Sequence, residues 1–77
     1  MNLVINGEVR GFASPLTLAG LVEHLGMKQD RVAVELNHNI VPRGQWAEMA
    51  LSDGDRLEIV HFVGGGRSSW GSLRTET

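Results

Sequence analysis

Gly64-Gly65-Gly66 follows directly on the strand-like stretch Arg56-Leu57-Glu58-Ile59-Val60-His61-Phe62-Val63. Glycine has no Cβ, so its backbone takes extended or positive-φ conformations and passes through channels too narrow for other residues. A domain whose last strand runs out into such a tail can thread a backbone carboxylate into a narrow active site. The chemistry on offer is that of a backbone carboxylate at the end of such a tail, which Arg67 to Thr77 cap here with a peptide bond. A carboxylate is a poor electrophile and needs a better leaving group before a nucleophile can attack it. The run is not a phosphate cradle: Gly64-Gly65-Gly66-Arg67-Ser68 lacks the Gly-Lys-Ser/Thr ending of a P-loop and opens no predicted helix. The residues alone leave a second reading open, a flexible linker to Arg67–Thr77.

Other side chains offer less chemistry. If Leu57 and Ile59 point to a core, strand alternation sends Val60 and Phe62 to the opposite face. Apolar residues there, beside a reactive tail, make a candidate partner-docking patch. The alternatives are cover by the tail or another segment, and scattered surface apolars. His61 shares the parity of Ile59 and reads as a strand-end histidine. His24, His38 and His61 lack the spacing of a metal site, so no metal is expected. Asp53 and Asp55 flank a turn glycine in a segment too short for a calcium loop. Ser68 and Ser69 have no evident activating base. Arg43 frames a loop, and Trp46 reads as a core anchor. No nucleophile–base or carboxylate pair stands out, so no catalytic residue is assigned and the chain does not read as an enzyme.

The elements that must position the tail follow from periodicity. Leu3 and Ile5 alternate with Asn2, Val4 and Asn6, a first strand. Asn6-Gly7-Glu8 is a hairpin turn, and Val9–Ala13 returns as a second strand. Thr17 is placed to cap a helix whose Leu18, Leu21, Val22 and Leu25 share one face. Gly20 inside it points to close packing against another backbone, and Gly26 to the helix end. Val32–Asn37 is a third strand, Asn37-His38-Asn39 a turn, and Ile40-Val41 a short fourth strand ended by Pro42. Arg43–Leu51 reads as a helical turn plus loop anchored by Trp46, Met49 and Leu51. Ser52-Asp53-Gly54-Asp55 turns the chain into the last strand. The expected fold is α+β: a mixed sheet of four to five strands with one main helix packed across it, the β-grasp pattern.

The chain has 77 residues, enough for one small domain. Its 42% hydrophobic and 21% charged residues fit an ordinary soluble globular protein. A net charge of -2, with few aromatics and none interleaved with Lys or Arg, argues against nucleic acid and anionic membrane as partners. Absence of cysteine excludes disulfides, thiol nucleophiles and thiolate metal sites. No apolar run approaches the roughly 20 residues that span a bilayer, and no leader is evident, so the expected location is cytoplasmic.

Four segments together resemble a known family. They are Val4-Ile5-Asn6-Gly7; Glu35-Leu36-Asn37-His38-Asn39-Ile40-Val41-Pro42-Arg43-Gly44-Gln45-Trp46; Asp53-Gly54-Asp55; and Glu58-Ile59-Val60-His61-Phe62-Val63-Gly64-Gly65-Gly66. Across residues 1–66 the chain resembles the bacterial sulfur carriers of thiamine biosynthesis, the ThiS family of ubiquitin-like β-grasp proteins. The resemblance implies a carrier acted on by partner enzymes. A ThiF-like adenylyltransferase would use ATP to convert the Gly66 carboxylate to an acyl-adenylate. A cysteine desulfurase system would supply sulfur, giving a thiocarboxylate. A ThiG-like thiazole synthase would take that sulfur into the thiazole ring. No cofactor would be bound by the chain itself.

The resemblance divides the chain into a β-grasp domain (1–63), a glycine tail (64–66) and a flexible C-terminal extension (67–77). Family members usually stop at the glycine. With Arg67–Thr77 attached, Gly66 carries an amide, which cannot be adenylated as a carboxylate can, so the carrier role requires removal of the extension. Two other readings stay open: a carrier like the small subunit of molybdopterin synthase, and a non-covalent β-grasp interaction module.

Overall fold

A computed structural model of the chain describes residues 1–62, and residues 73–75 along their backbone. The first two strands, β1 (Asn2–Ile5) and β2 (Glu8–Gly11), form a hairpin in which Ile5 pairs with Glu8. The intervening Asn6 and Gly7 sit at φ 50° and 86°. Positive φ at both central residues is the turn geometry that matches strand twist. Leu3 and Ile5 are buried, as their alternation predicts.

The helix α1 (Leu18–His24) starts where the sequence indicates: the Thr17 hydroxyl accepts from the Gly20 amide at 3.0 Å. It ends at Gly26, φ 77°. There the Gly26 amide donates to the Glu23 carbonyl at 2.9 Å and the Met27 amide to the Val22 carbonyl at 3.1 Å, which satisfies carbonyls the helix end would leave open. Leu18, Leu21 and Val22 are buried and Leu25 packs half-buried beside them. Gly20 has a different cause from the one expected. A Cβ there would meet the Leu16 side chain at 3.1 Å and the capping Thr17 hydroxyl at 3.3 Å, not another backbone. The glycine makes room for the cap.

A short 3-10 turn (Gln29–Arg31) leads into β3 (Val32–Leu36), which turns through Asn37 and His38 into the two-residue β4 (Asn39–Ile40). Val41 leaves the strand for the core, although its amide still donates to the Val34 carbonyl at 3.1 Å. After Pro42, a 3-10 helix (Arg43–Glu48) buries Trp46, whose indole Nε1 donates to the Val41 carbonyl at 2.8 Å. The last strand of the body is β5 (Arg56–Phe62).

The sheet order is β2-β1-β5-β3-β4, with β1 and β5 parallel and the other pairs antiparallel. α1, Trp46 and Leu51 join Leu3, Ile5, Val32, Val34, Leu57 and Ile59 in one core. This is the expected mixed sheet with one main helix, the β-grasp arrangement.

Within the extension expected to be flexible, Leu73–Thr75 form a further strand, β6, antiparallel to β5. Its pairs are Val60 with Thr75, His61 with Arg74 and Phe62 with Leu73. The cause lies in β5, which outruns β1: their pairing stops at Ile5 and Leu57. Beyond that point the β5 edge carries backbone groups that need partners, and a segment tethered to the same chain can supply them. Three residues are too few to show a period in sequence. Val63, the glycine run and the remainder of 67–77 lie outside the described residues.

Candidate functional site

The candidate site is the end of β5, because the glycine run continues from it. β5 is positioned first by its alternation. Leu57 and Ile59 are 2% and 0% exposed and anchor the strand in the core. Val60 and Phe62 lie on the opposite face, as expected, but both are half-buried. Val60 stands opposite Ala33 of β3, and β6 runs beside both on the other edge. The patch is therefore partly covered. Among the described residues, the large apolar side chains that are well exposed are Val9 at 69% and Ile40 at 64%. Register puts Ile40 opposite Glu35, on the same face as Val60 and Phe62. The sequence reading placed Ile40 in a strand but not in the patch; strand parity, once the β3–β4 register is known, would have found it.

Phe62 also lines an open groove of about 340 Å³, together with Ile40, Pro42, Arg43 and Trp46. Arg43 is fixed in its wall. Its Nε donates to the Gln29 carbonyl at 2.6 Å, its Nη2 to the Val32 carbonyl at 3.0 Å, and its guanidinium lies 5.5 Å from the Trp46 ring centroid. These bonds cover the outer edge of β3 where the short β4 does not reach, so Arg43 frames the loop as the sequence indicated. The groove lining combines the Arg43 cation with apolar side chains.

Asn6 has a role the sequence reading did not assign. Its amide donates to the Leu57 carbonyl at 2.9 Å. Its side-chain Oδ1 accepts from the Ile59 amide at 2.8 Å and its Nδ2 donates to the Ile59 carbonyl at 3.2 Å. The carboxamide thus stands in for one more residue of β1. On the other edge, the Asn37 amide donates to the Arg56 carbonyl at 2.8 Å and its Oδ1 accepts from the Arg56 amide at 3.0 Å. Two turn asparagines clamp β5 from both sides.

The remaining candidates serve the fold. Asp53 Oδ1 accepts from the Asn2 amide at 2.6 Å, and the Asp55 carboxylate accepts from the Ser52 amide at 2.7 Å and the Asn37 side chain at 3.1 Å. His24 meets Phe12 edge to face, centroids 5.4 Å apart. His38 occupies the second turn at φ 73°. His61 is half-buried opposite Val32. Among the described residues, no group of three or more His, Asp or Glu could hold a metal ion. Gly64, Gly65 and Gly66 lie outside the described residues.

The chain matches the ThiS family over residues 3–66. It is 52% identical over 66 residues to a thiazole synthase of Paramagnetospirillum magneticum, covering 86% of this chain and 20% of that protein. The chain thus spans only about a fifth of the length of that relative. It is 33% identical to the sulfur carrier protein ThiS of Escherichia coli, covering 86% of this chain and 100% of that one. A crystal structure of the thiamine biosynthesis protein ThiS from Geobacter metallireducens superposes with a TM-score of 0.74 at 35% identity, over 86% of this chain and all of that one. With the β-grasp sheet, a family match that ends at Gly66, and relatives matched over their full length, this chain belongs to the ThiS family.

Proposed function

We propose that this chain is a sulfur carrier for thiazole formation, with Gly66 as the reactive residue once the extension has been removed. The observation that carries this reading is the family match, which runs along β5 and stops at Gly66. The body ends its last strand at Phe62, so Val63–Gly66 is the lead from a packed platform to the reactive end. In this reading the chain is a cosubstrate on which partner enzymes act.

In this reading an adenylyltransferase joins the Gly66 carboxylate to the α-phosphate of ATP and releases pyrophosphate. A persulfide sulfur from a cysteine desulfurase system then displaces AMP to give an acyl disulfide, and a thiol reductant cleaves its sulfur–sulfur bond to leave the thiocarboxylate, one carboxylate oxygen having left with AMP. ATP is bound by the partner. Thiazole synthase takes the sulfur, a pairing supported by the relative of that name that contains a region like this chain. Partners dock on Val60, Phe62 and the adjoining Ile40, and Gly64 and Gly65 lead Gly66 into their active sites. In this reading these steps take place in the cytoplasm.

The test is the intact mass of the protein isolated from its own host. A species ending at Gly66, heavier by the difference between sulfur and oxygen, is the expected result. Chain ending only at Thr77, unchanged by host extract with ATP and a sulfur donor, would overturn the carrier and leave an interaction module.

A further inference from the structure

The edge of β5 that faces β1 is filled in three successive ways. The Leu57 carbonyl accepts from the backbone of Asn6, and the Ile59 amide and carbonyl are met by the Asn6 side chain. Strand alternation turns the next such residue, His61, to the same edge. There the partner comes from beyond the glycine run, where β6 sets Arg74 opposite His61. The body of the fold therefore stops one residue pair short of completing its own central strand.

We propose that this edge at His61 is a strand-acceptor site for an extended segment of a partner protein, and that β6 occupies it in cis. An open edge that pairs with one extended segment presents the same amide and carbonyl to another. β6 runs beside Val60 and Phe62, so its presence covers the flank of the docking patch as well as the edge. In the uncut chain the site is closed. Removal of the extension then has two effects: it frees the Gly66 carboxylate and it opens the β5 edge. The second effect rests on the carrier reading for its purpose, but not for its chemistry.

Proline at position 74 separates the two. It removes the amide that faces β5 in this register. Proline at position 75 is the register control, because the Thr75 amide points away from β5 in this pairing. In the full chain, hydrogen exchange of the His61 amide is expected to quicken by about tenfold or more in Arg74→Pro and to stay unchanged in Thr75→Pro. Equal rates in wild type and Arg74→Pro would overturn the cis pairing.

Binding to the purified adenylyltransferase of the same host completes the test. Wild type and Arg74→Pro both carry a blocked Gly66, so their difference reports the uncovering of the edge with its flank and not the freeing of the carboxylate. A site closed about nine-tenths of the time weakens apparent affinity about tenfold, and Arg74→Pro is expected to recover it. A chain ending at Gly66, the length over which the family match and the solved relative fold, is the open reference. Equal affinity of all three would overturn the closed site and leave the carrier intact. Binding by none would overturn both the carrier and the acceptor site.

Discussion

The two halves of β5 are held in contrasting ways. From Arg56 to Ile59 the strand has partners on both edges, β1 with the Asn6 carboxamide on one side and β3 with Asn37 on the other. Its apolar side chains there are 2% and 0% exposed. From Val60 to Phe62 it keeps β3 on one edge as far as His61 but depends on β6 for the other, and its side chains are half-buried. The first half therefore anchors the strand, and the second delivers the chain to the glycine run. Local opening starts where buried contacts are fewest. A carrier needs that division: a tail can be aimed at an active site only from a platform that does not move with it.

The sharpest way to break the contrast is at Ile59. Ile59→Ala is expected to cost about 3–4 kcal/mol in denaturant unfolding, because it leaves a cavity in a fully packed core. A loss as small as that of a surface change would show that the anchor lies elsewhere. Asn6→Ala comes next, at about 2–3 kcal/mol. It strips both partners from the Ile59 backbone and places a Cβ-bearing residue without a local hydrogen bond at φ 50°. Thermal denaturation of this variant measures how much of the grip on β5 is a side chain imitating a strand.

Phe62→Ala sharpens the contrast from the other half. It is expected to cost only about 1 kcal/mol of stability while lowering affinity for the adenylyltransferase by more than that loss explains. A stability loss equal to that of Ile59→Ala would erase the distinction between the halves. The smallest effect is expected at His38, which holds a left-handed conformation in the turn that feeds β4. His38→Gly is expected to raise stability by about 0.5 kcal/mol, the relief of backbone strain less the added chain entropy, read from the midpoint of urea unfolding.

Much of this was legible because it is local. The Leu3–Ile5 alternation, the Asn6-Gly7 turn, the Thr17 cap and the Gly26 helix end each depend on residues only a few positions apart. The opposite parity of Val60 and Phe62 follows from the same period of two, although the sequence ran the strand on to Val63 and β5 is Arg56–Phe62. The Gly20 reading missed because helix propensity shows that a glycine is out of place but not which neighbour requires it. Leu16 and Thr17 do, and only their packed positions reveal it.

The sequence by itself determined the elements, the face each one buries and the place where the fold runs out into glycine, since hydrophobic period and turn chemistry act over short stretches. Tertiary structure alone decided how much of Val60 and Phe62 is covered, that Ile40 shares their face, that Asn6 reaches Ile59, and that Leu73–Thr75 pairs with the end of β5. Those are contacts between segments far apart in the chain. They depend on strand register and on the unequal lengths of β1 and β5, and neither leaves a local pattern to read.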